Sequence, residues 1–537
     1  MKMCNRAAWL GGVAATLLTT GLLATGPQAS AAGTNVTVAL NELPRSLDPG
    51  SETGNVDVRV YYSIFDTLIR RDFGAAGADG AGGDLVPGLA TEWKWVDDTT
   101  FEVKLRSGVV CHDGSPFDAN DVLATFSPER LWGKTSYYPS GRNYFGNFDR
   151  VEKVDPLTVR FVTKAPDPTL DQRLASYTAF IVCNEALEAF RKEGEKPEVW
   201  LDAAANALRW NPVGTGPYRF AGYEKDNFVR LEAFPQAWRG APAAQTLTFR
   251  SVPEVAARIS GLVAGDYDIA VDIPTDQWDT VKGYPDLVLK TMPIENSHVL
   301  VFNMSDPVIA DKNLRHAMSL AIDRKALVDA MWKGQTITPN GLQLPSFGPL
   351  YDPSRKGYAF DPEAARQALA KSGYKGQEIS YRLIPNYYTY NVEVAQIIQE
   401  MWRAVGINAR IDFVDSFKEV RADGVQVYAW SNTYRIPDPT GTIIPLYGPG
   451  VAIQREYKHF IAPKEFNDLA VAVGSTTDVA TRKKDFQRML DIFEDEMPIT
   501  MLYNPVAAYA MKNTVKWQPY SQFYMDFAPA NFSLAGK

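Results

Sequence analysis

The sequence predicts an α/β protein with at least two lobes. The chain has 537 residues, and a globular domain usually has ~100–200 residues, so we expect several compact units. Strand-like and helix-like patterns follow one another in mixed order without internal repeats, which is typical of an α/β protein. Apolar residues make up 45% of the chain and charged residues 22%. This composition is that of a soluble globular protein and excludes a polytopic membrane protein or a disordered chain.

The first third of the chain carries three strand signals, a loop signal and the first helix signals. Residues 34–40 alternate apolar and polar side chains, which predicts the first strand. Apolar residues in 56–68 recur at helical spacing and predict a helix. The stretch 73–83 is rich in Gly and Ala, and we expect a flexible surface loop. Two more alternating segments, 100–105 and 157–162, predict half-buried strands.

Most of the remaining signals predict helices. Residues 115–126 predict a turn that enters a helix, with Asp118 available as its N-cap. Residues 314–334 place apolar side chains on one face and predict a single long amphipathic helix. Inside it, Asp323 and Arg324 are expected to form an ion pair on the surface. Two further helices, over 361–372 and 392–405, and a strand over 408–414 complete the pattern.

The N-terminal residues predict export. Lys2 and Arg6 are followed by uncharged residues over 7–24, and the small-residue tripeptide Ala29-Ser30-Ala31 then precedes a polar stretch. This is the pattern of a secretory signal peptide over 1–31, cleaved near Ala31 or Ala32. The alternative is an uncleaved membrane anchor, since eighteen residues is near the lower limit for a spanning helix.

Cysteine and histidine positions give no support to a metal or haem site. Cys4 precedes the apolar segment, so it does not stand where a lipoprotein cysteine would. Cys111 and Cys183 would enter an oxidising compartment, where either a disulfide or two buried thiols are possible. The four histidines are far apart in sequence and no C-x-x-C pair occurs. We therefore expect neither a metal nor another cofactor.

Catalytic motifs are incomplete. The sequence Gly133-Lys134-Thr135 lacks the earlier glycine of a phosphate-binding loop, because that position is Pro128. Gly214-Thr215-Gly216 lacks the third glycine of a dinucleotide fingerprint, since that position is Arg219. No H-E-x-x-H or G-x-S-x-G occurs. The net charge of -8 and pI near 5.3 also disfavour nucleic-acid binding.

Four ordered blocks resemble one family over most of the chain after the signal. Residues 85–122 contain HDGSPFDANDV, which resembles the family core "H-D-G-x-P-x-x-A-x-D-V". The later family blocks follow in the same order. The second resembles 213–220 together with 233–269, the third resembles 299–328, and the last resembles 434–443. The family is that of the solute-binding proteins of ABC importers for peptides, nickel chelates, opines and related solutes, extracellular solute-binding protein family five.

The resemblance implies a two-lobed periplasmic-binding-protein fold of the Venus-flytrap type. A first lobe would combine 33–70, 212–300 and 509–537, with an extra subdomain at 71–211, and the second lobe would span 301–508. Such a receptor closes on its solute between the lobes and presents it to membrane permease subunits. We expect a periplasmic monomer that binds a peptide-like, opine-like or other small carboxylate-bearing solute and is not an enzyme. A metal chelate is a further solute candidate, and an exported hydrolase or a periplasmic chaperone or sensor is the alternative function.

Three irregular segments, 132–148, 384–391 and 427–439, are rich in aromatic and hydrogen-bonding groups, as a pocket for a polar ligand requires. Aromatic residues on such loops can also cover a small satellite core. The residues that we expect to contact the solute are Tyr137, Tyr138, Arg142, Tyr387, Tyr388, Trp430, Asn432, Tyr434 and Arg435.

Arg435 departs from the peptide binders of the family. In those proteins an aspartate pairs with the ligand's amino group, and the resemblance places that position at Arg435, three residues before Asp438. Trp430 stands eight residues before Asp438, two more than is usual in the family, so the alignment can shift. Under either alignment no Asp or Glu lies between Gly424 and Pro437. The usual amine anchor is therefore missing, and Arg435 is expected to bind an acidic group of the solute. The alternative is that Arg435 pairs with Asp438 or another acid as a structural element.

Overall fold

The computed structural model describes residues 34–51, 54–74, 84–385 and 387–535. The signal peptide predicted for 1–31 and most of the loop predicted for 73–83 lie outside these residues. In the described ranges, no helix combines the length and the apolar character that a membrane span requires.

The described part of the chain contains 20 strands. They are β1 (Asn35–Leu40), β2 (Ile69–Arg71), β3 (Leu85–Pro87), β4 (Ala90–Trp95), β5 (Thr100–Leu105), β6 (Phe148–Asp155), β7 (Thr158–Thr163), β8 (Tyr218–Glu224), β9 (Phe228–Ala233), β10 (Thr246–Ser251), β11 (Ile269–Ala270), β12 (Leu287–Pro293), β13 (Asn296–Phe302), β14 (Ile379–Leu383), β15 (Ala409–Phe413), β16 (Val427–Thr433), β17 (Ile499–Tyr503), β18 (Val506–Lys512), β19 (Val515–Trp517) and β20 (Phe532–Leu534).

Within the same described ranges there are 17 α-helices. They are α1 (Asp57–Ile64), α2 (Ala119–Thr125), α3 (Arg142–Phe145), α4 (Leu170–Leu174), α5 (Asn184–Glu188), α6 (Pro197–Leu208), α7 (Val255–Ala264), α8 (Trp278–Lys282), α9 (Lys312–Leu320), α10 (Arg324–Trp332), α11 (Pro362–Lys371), α12 (Asn391–Ala404), α13 (Phe417–Val420), α14 (Ile443–Tyr447), α15 (Ala452–Arg455), α16 (Lys464–Ser475) and α17 (Val479–Glu496).

The described strands form three larger sheets and two two-stranded ones, β2-β3 and β19-β20. A seven-stranded sheet has the order β12-β18-β11-β1-β10-β9-β8, and a five-stranded sheet has the order β15-β14-β16-β13-β17. A four-stranded antiparallel sheet, β4-β5-β7-β6, is formed by the part of the chain between β1 and β8. We call the regions around these sheets lobe I, lobe II and the subdomain, respectively.

Strand β1 occupies the middle of the lobe I sheet. It is parallel to β10 on one side and to β11 on the other. Val36, Val38 and Leu40 point into one hydrophobic core, whereas Ala39 joins a second core on the opposite face. This alternation explains the apolar and polar pattern that predicted the strand, and burial on both faces is typical of parallel pairing. The carboxyl end of β1 leads into the loop 41–50.

Helix α2 in the subdomain begins as the sequence predicts. Asp118 accepts a hydrogen bond from the Asn120 amide at 2.6 Å, and the backbone amide of Asp118 donates to Asp121 Oδ2 at 2.7 Å. This reciprocal arrangement is a capping box, which satisfies amides that the first helical turn leaves without partners. The two remaining subdomain strand predictions, for 100–105 and 157–162, are also confirmed by β5 and β7.

A disulfide joins Cys111, after β5, to Cys183, immediately before α5. The two residues are separated by 72 positions in sequence, so the bond closes a long loop that contains α2, β6 and β7 of the subdomain. Of the two states that the sequence allowed, the structure therefore shows the disulfide. Because both sulfurs are bonded to each other, they are not free thiolate ligands for a metal beside Asp121.

Replacing both cysteines by serine is expected to lower the free energy of unfolding by about 2–5 kcal/mol, because an open chain gains more conformational freedom on unfolding than a cross-linked one. Urea unfolding of the oxidised wild type and of the double variant measures the difference. Reduction should shift the wild-type midpoint and leave that of the double variant unchanged. Equal midpoints for the oxidised wild type and the variant would contradict this expectation.

The prediction of a single helix over 314–334 is wrong. The structure breaks it into α9 and α10, and the Asp323 side chain caps α10 by accepting from the Ala326 amide at 2.9 Å. Arg324 is not in a surface ion pair but buried, and it donates to the Met501 carbonyl at 2.6 Å. Asp323, although it lies within a continuous apolar pattern, is thus the N-cap residue at which the second helix begins. The remaining predicted elements, near 56–68, 361–372, 392–405 and 408–414, are present with shifts of a few residues at their ends.

Candidate functional site

The cleft between lobe II and the other two regions is closed by direct contacts. The hydroxyl groups of Thr169 in the subdomain and Thr440 in lobe II are 2.9 Å apart. The hydroxyl of Thr433, at the end of β16, donates to Asn55 Oδ1 of lobe I at 3.3 Å. Strand β16 and the segment after it therefore form the lobe II wall of the cleft.

Arg435 lies two residues after β16 and reaches across the cleft to the subdomain region. Its guanidinium donates hydrogen bonds to the hydroxyl groups of Tyr144 and Tyr177. The guanidinium carbon also lies 5.0 Å and 5.2 Å from the centroids of these two rings, within range of a cation–π interaction. Burial lowers the pKa of Arg435 to about 10, so the side chain still carries its charge at neutral pH.

Asp438 is not the partner of Arg435. It forms a buried ion pair with Arg482 at 2.9 Å and accepts hydrogen bonds from the backbone amide and hydroxyl of Thr440, each at 2.9 Å. Arg482 lies on α17, so this pair fixes the turn after Arg435 to the interior of lobe II. The expected pair between Arg435 and Asp438 is therefore not formed.

Tyr434 and Asn432 point away from Arg435 into lobe II and are fully buried. The hydroxyl groups of Tyr434 and Ser297 are 2.9 Å apart, and Asn432 Oδ1 accepts from the Tyr447 hydroxyl at 3.0 Å. The carbonyl of Tyr434 also accepts from Gln522 Nε2 at 2.7 Å. These contacts hold the backbone that carries Arg435, whereas the two side chains lie behind the cleft wall.

Four rings form an aromatic cluster on lobe II: Tyr387, Tyr388, Phe417 and Trp430. Their centroids are 4.7 Å apart for Tyr387 and Tyr388, 4.8 Å for Tyr387 and Phe417, and 5.2 Å for Phe417 and Trp430, all with edge-to-face geometry. The Tyr388 hydroxyl donates to Ser431 Oγ at 3.1 Å, which ties the cluster to β16. Three of the predicted site residues are thus brought together here.

Loop 41–50 of lobe I faces the aromatic cluster. The Arg45 guanidinium carbon lies 5.7 Å from the centroid of the Phe417 ring across the cleft. The charges of Glu42 and Arg45 both act on the Tyr387 hydroxyl, whose pKa is raised well above its ordinary value, chiefly by burial and then by Tyr388. Neither Glu42 nor Arg45 was among the predicted site residues, because no local pattern links loop 41–50 to residues more than 300 positions later.

The segment 132–148 divides between interior and surface. The Tyr138 hydroxyl donates to the buried carboxylate of Asp48, and the Tyr137 hydroxyl donates to Asp202 Oδ1 at 2.9 Å on an exposed side of the subdomain. Arg142 donates to the Lys134 carbonyl and lines an interlobe groove. Of these three predicted residues, only Arg142 shares a groove with Tyr144, which contacts Arg435.

That groove lies between the subdomain and lobe II and has a volume of about 680 Å³. Its lining includes Arg142, Tyr144, Asp167, Arg173 and Thr440. Tyr144, which contacts Arg435, is part of this lining, whereas Arg435 itself is not. Its volume is within the range of small-molecule sites, roughly 300–1,000 Å³.

Residues 84–453 match the family model described as "Bacterial extracellular solute-binding proteins, family 5 Middle". The chain belongs to this family. Its members are solute-binding proteins rather than enzymes, and they work with ABC transporters, as the resemblance implied. The family is extracellular or periplasmic.

Curated relatives match over most of the chain. "Di/tripeptide-binding protein 1" of Pseudomonas aeruginosa (strain UCBPP-PA14) is 26% identical over 530 residues, covering 93% of this chain and 94% of the relative. "Dipeptide-binding protein" of Escherichia coli (strain K12) is 25% identical over 455 residues, covering 81% and 83%.

Solved structures share the two-lobed fold. The dipeptide-binding protein of Pseudoalteromonas sp. SM9913 in complex with Met-Leu has a TM-score of 0.82 at 20% identity and covers 93% of this chain and all of its own. AgaA from A. tumefaciens R10 in complex with agropinic acid has a TM-score of 0.79 at 22% identity, with coverage of 94% and 99%. The Venus-flytrap fold predicted for the chain is thereby confirmed.

Proposed function

We propose that this solute-binding protein captures a small carboxylate-bearing solute, peptide-like or opine-like, between its lobes and delivers it to an ABC permease. The observation that carries the proposal is Arg435, a charged guanidinium on the cleft wall of lobe II that contacts the subdomain region. A planar guanidinium binds a carboxylate through two parallel hydrogen bonds, which an ammonium does not reproduce.

The surroundings of Arg435 suit exchange with a ligand. Tyr144 and Tyr177 present hydroxyl groups that can rotate, and a hydroxyl can either accept from the guanidinium or donate to a carboxylate oxygen. A solute acid that enters beside Arg435 could therefore keep all three side chains hydrogen-bonded. The adjoining groove supplies room for the remainder of the solute.

Named relatives support a peptide or opine as the solute class. The curated relatives are a di/tripeptide-binding and a dipeptide-binding protein, and AgaA was solved with agropinic acid. These names state what the relatives bind, and the solute of this chain is proposed from them. The acidic group that such solutes share is the feature that Arg435 would recognise.

We further propose that the mature chain begins near Ala32 after export and acts as a periplasmic monomer. The proposed lobe boundaries remain 33–70, 212–300 and 509–537 for the first lobe, 71–211 for the subdomain and 301–508 for the second lobe. Closure between these units is the motion by which the solute would be enclosed.

Gently purified protein should release a carboxylate-bearing solute on denaturation, and mass spectrometry identifies it. Adding that solute back to stripped protein should raise the free energy of unfolding by ~2.7 kcal/mol at a hundredfold excess over Kd, because it binds the native state alone. Differential scanning calorimetry at several solute concentrations measures this effect.

The outcome also separates the alternatives. Recovery of the solute unaltered after long incubation supports a receptor, whereas turnover of the solute would indicate a hydrolase. Binding of unfolded chains without a shift by any peptide, opine or chelate would favour the chaperone alternative and contradict the proposal.

A further inference from the structure

The carboxyl end of β1 carries an acidic side chain that the fold does not use. Glu42 is the second residue after β1 and is half-buried. Within the described ranges its carboxylate makes no hydrogen bond and no ion pair. In open α/β sheets ligands bind outside the carboxyl ends of the parallel strands, and β1 has a parallel neighbour on each side.

Neither of the two nearby arginines, Arg45 and Arg59, forms a hydrogen bond or ion pair with Glu42 in the described part of the chain. Arg59 forms two hydrogen bonds to Asp272, at 2.8 Å and 2.7 Å, so its charge is already matched by a carboxylate. Burial raises the pKa of Glu42, although Arg45 and Arg59 act in the opposite direction. Partial burial of a carboxylate without a partner costs free energy, and such groups in clefts are typical of ligand sites.

The residue beside Glu42 also lacks a donor. Asn41 Oδ1 is buried and has no hydrogen-bond partner in the part of the chain that the structure describes. Consecutive residues at the end of β1 thus present acceptors without donors. An ammonium group has three N–H donors and no acceptor, so it could donate hydrogen bonds to the acceptor oxygens of both residues.

The opposite wall of the cleft favours a cation too. Loop 41–50 faces the aromatic cluster, as the contact between Arg45 and Phe417 shows. Tyrosine and tryptophan rings attract cations through their negative faces. An ammonium between Glu42 and Tyr387 would therefore meet a carboxylate on lobe I and aromatic rings on lobe II.

We propose that Glu42 binds an ammonium group of the solute, with the aromatic cluster on the other side of that group. This inference rests on the proposed function and names the solute class as a zwitterion, whose acid lies at Arg435 and whose amine lies at the end of β1. The negative charge absent from residues 424–437 of lobe II would thus be supplied by lobe I. Binding of one solute by both walls would stabilise the closed form.

The test compares trialanine with N-acetyl-trialanine by calorimetric titration. Acetylation removes the ammonium charge and leaves the carboxylate, so the wild type should bind trialanine at least about ten times more tightly. Glu42→Gln should weaken trialanine binding by about ten- to a hundredfold and change N-acetyl-trialanine binding little. Glu42→Asp keeps the charge and should retain part of the preference. Glu224→Gln, which alters an exposed carboxylate on β8, is the matched control and should behave as the wild type.

Two results would overturn the inference. One is a wild type that binds both peptides equally or binds neither. The other is a Glu42→Gln variant that still folds, as its melting curve shows, and keeps the full preference for trialanine. The receptor function is judged separately by the solute that the purified protein releases, so the two proposals can fail independently.

Discussion

Arg435→Ala is expected to weaken binding of the released solute, or of trialanine, by about ten- to a hundredfold. Charge-assisted hydrogen bonds to a carboxylate contribute about 1.5–3 kcal/mol each, and the alanine variant loses them. Arg435→Lys should recover only part of the affinity, because an ammonium lacks the planar pair of donors. Calorimetric titration of folded variants measures both effects.

Arg410→Ala serves as the control for Arg435. Arg410 is an exposed arginine at the far edge of the lobe II sheet, where it pairs with Glu378. Its removal should leave the solute affinity unchanged. If Arg435→Ala also binds with wild-type affinity and only melts earlier, Arg435 is a structural link between lobe II and the tyrosines rather than a binding residue.

The second large effect concerns stability. Asp438→Asn is expected to lower the free energy of unfolding by about 3–5 kcal/mol, because Arg482 is then buried without a carboxylate. Asp438 and Arg482 have side chains that are only 4% and 7% exposed. Urea unfolding followed by circular dichroism measures the change.

Glu465→Gln provides a matched comparison for Asp438→Asn. Glu465 pairs with Arg488, which is on α17 like Arg482, but both side chains are more than half exposed. Water screens such a pair, so its loss should leave the unfolding midpoint almost unchanged. Equal losses in the two variants would show that burial of the Asp438 pair does not determine its contribution.

The strands and helices that local patterns predicted are mostly present, because the causes of those patterns are local. Alternating side chains predicted β1, and the N-cap residue Asp118 predicted the start of α2. The break between α9 and α10 was missed because apolar spacing continues through it and only the capping role of Asp323 distinguishes the two helices. Element ends shifted by a few residues for the same reason.

The candidate site was predicted only in part, because its contacts join distant parts of the chain. Arg435 and the aromatic cluster lie where lobe II meets the other regions, and their contact with a solute stays a prediction. Tyr138 and Tyr434 look identical in pattern to cleft tyrosines, but their hydroxyl groups meet Asp48 and Ser297, 90 and 137 positions away. No spacing rule reveals such partners. The same limit hid Glu42, because its proposed role depends on the aromatic cluster, which lies more than 300 positions later in the sequence.

The bond between Cys111 and Cys183 ties the maturation of this protein to its location. Thiols stay reduced in a typical bacterial cytoplasm and are oxidised outside it. The subdomain therefore reaches its full stability only after the chain has crossed the membrane, and a chain still awaiting translocation is easier to keep unfolded. For the same reason, protein produced in a reducing cytoplasm should be oxidised before its stability or its solute affinity is compared with that of the exported form.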